Sequence, residues 1–409
     1  MSEEKLVPKL RFECSLEEYK KYKLGELVEN VVAGATPKTS VDDYWNGGDI
    51  PWLSSGEVHK KFIYFTDKFI TSEGYNNSST KIVPTNSVLI ALAGQGKTRG
   101  TVAINKIELC TNQSIASIIP NEMLNYKYLF YYLESKYEYL RALSSSDGGR
   151  GGLNLKLIRS IPIQVPSIKE QENISNFINE IDKKILLLEQ KHKLYDDFKK
   201  YLMQQIFTQK LRFVDFNNSS WKDYKFKDLG TVKSGVGFSN KYQGHLDLDY
   251  NFYKVSDMNL KGNEKVMTRS NNTIDDNLLK DIGVKLIENP SIIFAKVGEA
   301  IFLNRKRIAK QPFLIDNNMM AFSPNENVDL EFMYYLATSI NFGKYAQTGA
   351  LPSYNASDIY SIKCKIPPIE EQKRIGKLLS LADNKIDFCS NQLNKTQEFK
   401  KGLLQQMFV

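Results

Sequence analysis

Cysteine and histidine are scarce. There are four cysteines and three histidines in 409 residues. Cys14, Cys110, Cys364 and Cys389 form no C-x-x-C pair, and His59, His192 and His245 stand alone. That spacing excludes a zinc site of the usual kind. No apolar run approaches ~18 residues, so no membrane-spanning helix is expected. The opening Met1-Ser2-Glu3-Glu4-Lys5 has no apolar core, so no signal peptide is expected either. A soluble cytoplasmic chain with reduced thiols fits these absences. Catalytic signatures are missing too. No Asn-Pro-Pro-aromatic run occurs, and no paired carboxylates or nucleophile–histidine set suggests a reaction.

The chain is rich in internal repetition, and the repeat is circular. Residues 165–208 fall on 366–409 without a gap, a constant shift of 201 residues (Val165 to Ile366). Pro166, Ile168, Glu170 and Gln171 meet Pro367, Ile369, Glu371 and Gln372, and Phe198-Lys199-Lys200 meets Phe399-Lys400-Lys401. The same shift carries Lys9-Leu10-Arg11-Phe12 onto Lys210-Leu211-Arg212-Phe213. Two halves that fold alike would bring the termini together and give a pseudo-two-fold molecule. Such a molecule suits a two-part ligand, of which duplex DNA is the commonest. The formal charge of +8 favours an anionic partner.

The repeated blocks read as long helices. Apolar residues recur at Ile174, Ile178, Ile181, Ile185, Leu188, Tyr195, Phe198, Leu202 and Ile206. In the second block they are Ile375, Leu379, Ala382, Ile386, Cys389, Leu393, Phe399, Leu403 and Met407. Steps of four and three make a coiled-coil seam, with His192 in the slot that Leu393 fills. Proline at 166 and 367 stops helix upstream, and Glu170 and Glu371 suit the positive end of the helix dipole. About 40 residues would make a rod of roughly 60 Å. The circular repeat makes antiparallel internal pairing the natural arrangement.

Between the helices lie two blocks of short β-rich runs and turns. Each closes with an aromatic helix, at 126–140 and 330–340, and a Gly-rich or Thr-Gly turn. The expected class is α+β: two mixed α/β recognition domains separated by two long helices in an antiparallel coiled coil. The expected boundaries are 1–163, 164–209, 210–364 and 365–409. Ala91-Leu92-Ala93-Gly94-Gln95-Gly96-Lys97-Thr98 satisfies a relaxed phosphate-loop pattern. A working loop needs a helix directly after it. Arg99-Gly100-Thr101-Val102-Ala103-Ile104 favours strand instead, so a hairpin presenting Lys97 and Arg99 fits better.

These pieces together resemble the specificity subunit of type I restriction–modification systems. The matching runs are Gly34-Ala35-Thr36-Pro37-Lys38, Tyr44-Trp45-Asn46-Gly47-Gly48-Asp49-Ile50-Pro51-Trp52-Leu53, and Asn154 through the Ile161-Pro162 strand. The Pro-x-x-x-Glu-Gln starts at Pro166 and Pro367 complete the set, and the resemblance spans essentially the whole chain. The second block lacks a Trp-Asn-Gly-Gly-like run and is matched by position. The resemblance implies that each domain is a target recognition domain reading half of a bipartite DNA site. It implies that the helices set the spacer and bind two modification (adenine-methyltransferase) subunits, with restriction subunits added. The chain itself would be non-catalytic and hold no cofactor, S-adenosylmethionine, ATP and Mg belonging to partner subunits. The alternatives are a P-loop nucleotide-binding protein and a coiled-coil scaffold without DNA recognition.

Candidate DNA contacts follow from residue chemistry in loops. In the first block they are Lys38, Thr39, Ser40, Ser54, Ser55, Gln95, Lys97, Arg99 and Arg150. In the second they are Lys241, Tyr242, Ser256, Asp257, Lys296, Arg305, Lys306 and Tyr354, with Arg305-Lys306-Arg307 a compact basic cluster. Trp52 reads as a packing residue rather than a base contact. Lys199, Lys200, Gln204 and Gln205, with their copies Lys400, Lys401, Gln405 and Gln406, are candidate partner-binding positions.

Overall fold

A computed structural model describes residues 8–12, 18–94, 97–143, 152–347 and 351–408. The chain forms two compact units: Met1–Glu189 with Asn391–Val409, and Gln190–Ser390. Each long helix serves both. Ile168–Phe207 gives its first half to the first unit, and Ile369–Met407 gives its first half to the second. Among the described residues no helix is long and apolar enough to cross a membrane.

The β-rich head of the first unit has ten strands: β1 (Lys20–Lys23), β2 (Val28–Ala33), β3 (Ile50–Leu53), β4 (Phe62–Ile63), β5 (Lys68–Ile70), β6 (Val88–Ala91), β7 (Val102–Asn105), β8 (Cys110–Thr111), β9 (Ile115–Pro120) and β10 (Pro162–Val165). They pair in the orders β2-β9-β6-β7-β4, β5-β3-β8 and β1-β10. The second head has nine: β11 (Lys222–Lys225), β12 (Gly230–Ser234), β13 (Tyr250–Tyr253), β14 (Thr273–Ile274), β15 (Ser291–Ala295), β16 (Lys306–Ala309), β17 (Phe313–Ile315), β18 (Met319–Pro324) and β19 (Lys363–Ile366). Their orders β12-β18-β15-β16, β14-β13-β17 and β11-β19 repeat the first head strand for strand. Where β4 lies beside β7, the second head has only a parallel bridge from Val266 to Ile308.

The central strands β6 and β15 are buried on both faces because each divides two cores. Val88 and Ile90 of β6 face the aromatic helix Tyr126–Ser135, while Leu89 and Ala91 pack in a separate cluster with Leu53, Val58 and Ile63. In β15, Ile292 and Phe294 face the matching helix Leu330–Ser339, and Ile293 turns to Tyr253, Met258 and Phe313. Each large side chain so buried contributes roughly 1.5–3 kcal/mol.

The repeated Glu-Gln pair at each long-helix start has one task in both units. Glu170 holds Arg11 through two bonds of 2.8 Å, and Glu371 holds Arg212 at 3.1 and 2.7 Å. Gln171 accepts from the Asn125 backbone N–H and Gln372 from that of Asp329, both at 2.9 Å. Asn125 and Asp329 are the N-caps of the two aromatic helices. The head is thus fastened to the helix that follows it.

Within each unit the long helices run antiparallel. In the first, Ile174, Ile178 and Ile181 share a core with Leu403, Leu404 and Met407, and Lys400 lies 2.8 Å from Asp182. In the second, Lys199 lies 2.5 Å from Asp383. This corrects the expected seam at one slot. Phe198 and Phe399 are 53% and 56% exposed, whereas Lys400 is buried and Lys199 half-buried. Strict alternation of four and three from Ile174 reaches 199, not 198, so the lysine occupies the seam and an aspartate neutralises it. The circular join is also direct. The Leu10 N–H donates to the Gln406 carbonyl at 3.0 Å, and its counterpart Leu211 donates to the Gln205 carbonyl at 3.1 Å.

Candidate nucleic-acid interface

Three connections leave the first head around one turn, 112–114. β2 ends with Ala33 opposite Ala116, β6 ends with Ala91 opposite Ile115, and β3 ends with Leu53 opposite Thr111. Backbone bonds fix the loops that follow. Gly34 N–H donates to Ile115 O (3.4 Å), Leu92 N–H to Ser114 O (2.8 Å), and Asn112 N–H to Leu53 O (3.0 Å). The second head repeats all three around 316–318: Gly235 to Met319 (3.1 Å), Lys296 to Asn318 (2.8 Å) and Asp316 to Tyr253 (3.0 Å). The turns share a device as well. Asn112 Oδ1 accepts from the Ser114 N–H at 3.2 Å, and Asp316 Oδ1 from the Asn318 N–H at 3.1 Å.

The outer loops rest on buried carboxylates. Ser54 donates to Glu57 Oε2 through N–H (3.1 Å) and Oγ (3.0 Å), and Glu57 Oε1 also accepts from the Asp67 N–H at 3.0 Å. Asp257 does the same in the second head, taking the Lys254 N–H at 2.8 Å and the Asn271 side chain at 2.8 Å. The matching burial of 51–60 and 251–260 reveals a correspondence that residue identity hides. Trp52 is buried, donates to the Ala35 carbonyl at 3.0 Å and packs edge-on against Trp45. Phe252 takes its place in the second head, stacked on Phe238 at 3.8 Å.

Lys38, Thr39 and Ser40 are exposed on the loop after Gly34, and Lys97 is exposed on the β6–β7 hairpin, so both groups lie at the same end of the sheet. Ser54, Ser55 and Arg99 are half-buried there. Gln95 and Arg150 lie outside the described residues. In the second head Lys241, Ser256 and Arg305 are exposed, and Tyr242 and Lys296 half-buried. Lys241 sits over the Tyr242 ring at 4.4 Å.

Three candidates point inward. Asp257 is the loop-organising carboxylate just described. Tyr354 is buried and its hydroxyl donates to the Ala295 carbonyl. Lys306 is buried, donates to Asn304 and to the Ile340 carbonyl (3.0 Å), and lies 4.0 Å over the Phe342 ring. Burial pushes its ammonium down to about 7. The basic triplet is therefore not one patch. Strand β16 turns Lys306 into the core and lays the Arg307 guanidinium along the carbonyls of Met258 (3.2 Å) and Lys306 (2.9 Å). Only Arg305 stands exposed, bonded to Asn259.

Sequence reasoning passed over the centres of both clusters. Gln113, Asn317 and Asn318 are exposed on the two turns. The Gln113 side chain is held by the Thr36 hydroxyl at 2.6 Å. Amide side chains of this kind pair with adenine edges. The available signal was a short amide-rich run between two apolar strands, Thr111-Asn112-Gln113-Ser114 and Asp316-Asn317-Asn318.

The phosphate-loop pattern has no helix behind it. Gly100 N–H closes on the Ala91 carbonyl at 2.9 Å and the chain continues into β7, so a strand and not a helix follows the loop. On the long helices Lys200 is exposed and paired with Asp196 at 2.6 Å, while Gln204, Lys401, Gln405 and Gln406 are exposed and Gln205 half-buried. Lys199 and Lys400 are the seam lysines, held by Asp383 and Asp182.

A family model for the type I restriction modification DNA specificity domain matches residues 16–194 and 218–398, each match spanning one head and most of the helix after it. The chain belongs to that family. It is 27% identical over 406 residues to the type I restriction enzyme MjaIX specificity subunit of Methanocaldococcus jannaschii, covering 93% of this chain and 90% of that one. It is 22% identical to the MjaVIII specificity subunit of the same organism, covering 95% and 91%. Among solved structures it is similar to a type I restriction–modification S subunit from M. genitalium, with TM-score 0.61 and 16% identity over 98% of this chain and 99% of that one. Two DNA specificity domains therefore make up this chain, and each carries one loop cluster.

Proposed function

We propose that this chain is the non-catalytic specificity subunit of a type I restriction–modification complex. Each head reads one half of a bipartite DNA site, with phosphate contacts from the loop lysines and base contacts from residues at the turn. The observation that carries the reading is the repeated convergence of three loops on 112–114 and on 316–318. Two such clusters with different side chains suit two unlike half-sites. The long helices set the unspecified spacer and receive two adenine-methyltransferase subunits, and restriction subunits join that assembly in the cytoplasm. S-adenosylmethionine, ATP and Mg act in those partners.

A map of adenine methylation in the host, with and without the gene, tests this. Loss of methylation at one two-part motif with a fixed gap is the expected outcome. Isolated chain should bind duplex weakly and with steep salt dependence. An unchanged map in a host that expresses the partner methyltransferase would overturn the reading.

A further inference from the structure

Between the first head and the first long helix, within the first unit, lies a cleft of about 700 Å³. Its charged lining is Lys60, Lys61, Lys106, Lys127 and Lys183 against Asp182 and Glu189. Its apolar walls come from both sides, Tyr64 (66% exposed) on the head and Leu186 (53% exposed) on the helix. Three of the lysines already have carboxylates: Lys60 has Glu57 and Asp67 (3.0 and 2.9 Å), Lys61 has Glu134 (2.7 Å) and Lys183 has Glu180 (2.7 Å). Lys106 and Lys127 have neutral partners. Lys106 donates to Asn86 Oδ1 (2.9 Å) and the Tyr126 hydroxyl (3.2 Å), and Lys127 to Asn176 Oδ1 (3.5 Å). Neither forms an ion pair among the described residues.

The second unit shows what a neutralised version looks like. Equivalent backbone bonds, Ile104 N–H to Lys61 O and Ile308 N–H to Lys265 O, align the two heads here. In that alignment Lys106 becomes Lys310 and Lys127 becomes Glu331, and the two stand 3.6 Å apart. Glu331 also neutralises Lys265 at 2.7 Å. Lys60 becomes Glu264, Lys183 becomes Asn384 and Leu186 becomes Asp387. The basic, apolar-walled cleft is a property of the first unit.

We infer that this cleft is the docking site for an acidic amphipathic segment of the modification subunit, and that the second unit offers no equal to it. The inference rests on the function proposed above. Two unpaired ammonium groups beside an aromatic ring select carboxylates, and Tyr64 and Leu186 select an apolar face next to them. A duplex is a poor occupant: the volume is that of a small-ligand pocket, and the apolar walls offer nothing to a phosphodiester backbone. Two identical modification subunits therefore bind unequally, the step at the first unit being the salt-sensitive one.

The test is calorimetric titration of the full chain with the purified modification subunit of the same system, at about 0.05 and about 0.3 M salt. Lys106→Glu with Lys127→Glu is expected to weaken one of two binding steps about tenfold at low salt and to remove its salt dependence. The second step, the thermal unfolding of the chain and its affinity for duplex stay as in the wild type. Lys106→Arg with Lys127→Arg keeps both steps. Two unchanged steps would overturn the inference, and so would a loss seen in duplex affinity in place of subunit binding. If the wild-type chain binds no modification subunit, the functional reading itself fails.

Discussion

At Gly34 and Gly235 the backbone passes so close to a neighbouring carbonyl that no side chain fits. A Cβ would stand 1.9 Å from Thr111 O at the first and 1.8 Å from Asp316 O at the second. Each glycine begins a loop of the candidate interface, so any larger residue pushes that loop off its turn. Gly34→Ala is expected to cost roughly 2 kcal/mol or more in urea unfolding. It should also abolish discrimination at one half-site while leaving the salt-dependent, non-specific binding in place. Gly235→Ala should do this for the other half-site. Competition titrations with duplexes altered in one half-site measure it, and equal loss at both half-sites would argue against separate reading. Residue chemistry also explains why the basic run Arg305-Lys306-Arg307 misleads. Charge is visible in a sequence, but the face of a strand on which it falls depends on where the strand begins. Here that start puts Lys306 in the core.

At the scale of the element, each long helix carries a charge in its apolar seam. Lys400 is buried and meets Asp182 (2.8 Å) and Glu134 (2.6 Å). Burial alone would raise the Glu134 carboxyl, but the charges of Lys400 and Lys61 outweigh that and hold it below the usual carboxylate range. Lys400→Met removes the central cation and leaves two partly enclosed carboxylates with Lys61 alone. Loss of roughly 3 kcal/mol from the first unit is expected in urea unfolding, against less than about 0.5 kcal/mol for exposed Lys401→Ala. Equal effects of the two would show that the buried lysine is not a clamp. The helices themselves were legible from periodicity, with proline marking their starts. The seam slot at 199 and 400 was not, since a lysine there breaks the apolar pattern until its aspartate is seen opposite it.

For the molecule as a whole the circular repeat has a covalent meaning. Leu211 bonds to Gln205 along a continuous chain, and Leu10 makes the same bond to Gln406 across the chain ends. Joining the end to the start through a short flexible linker and opening the chain between Thr208 and Gln209 should therefore give a protein of the same fold. Its unfolding midpoint is expected within about 4 °C of the parent, with duplex affinity unchanged. A permuted chain that fails to fold would mean the two connections are not equivalent. The heads show how far topology outlasts identity. Strand order, the Asx turns and the buried carboxylates Glu57 and Asp257 all recur, although the second head has nothing like Trp45-Asn46-Gly47-Gly48.

The sequence by itself determined the repeat, the two long helices, the α+β class and the family. These rest on local periodicity and on residues that bond a few positions away or at a constant shift. Only the tertiary structure decided which loops share one end of a sheet, which lysines are buried, and that Gln113, Asn317 and Asn318 stand at the centre of those loops. It also decided that, among the described residues, Lys106 and Lys127 have no carboxylate partner while Lys310 meets Glu331. Those facts depend on strand order and strand face, and so on partners distant in sequence. Local sequence marks the amide-rich turns at 111–114 and 316–318 but does not say where they stand in the fold.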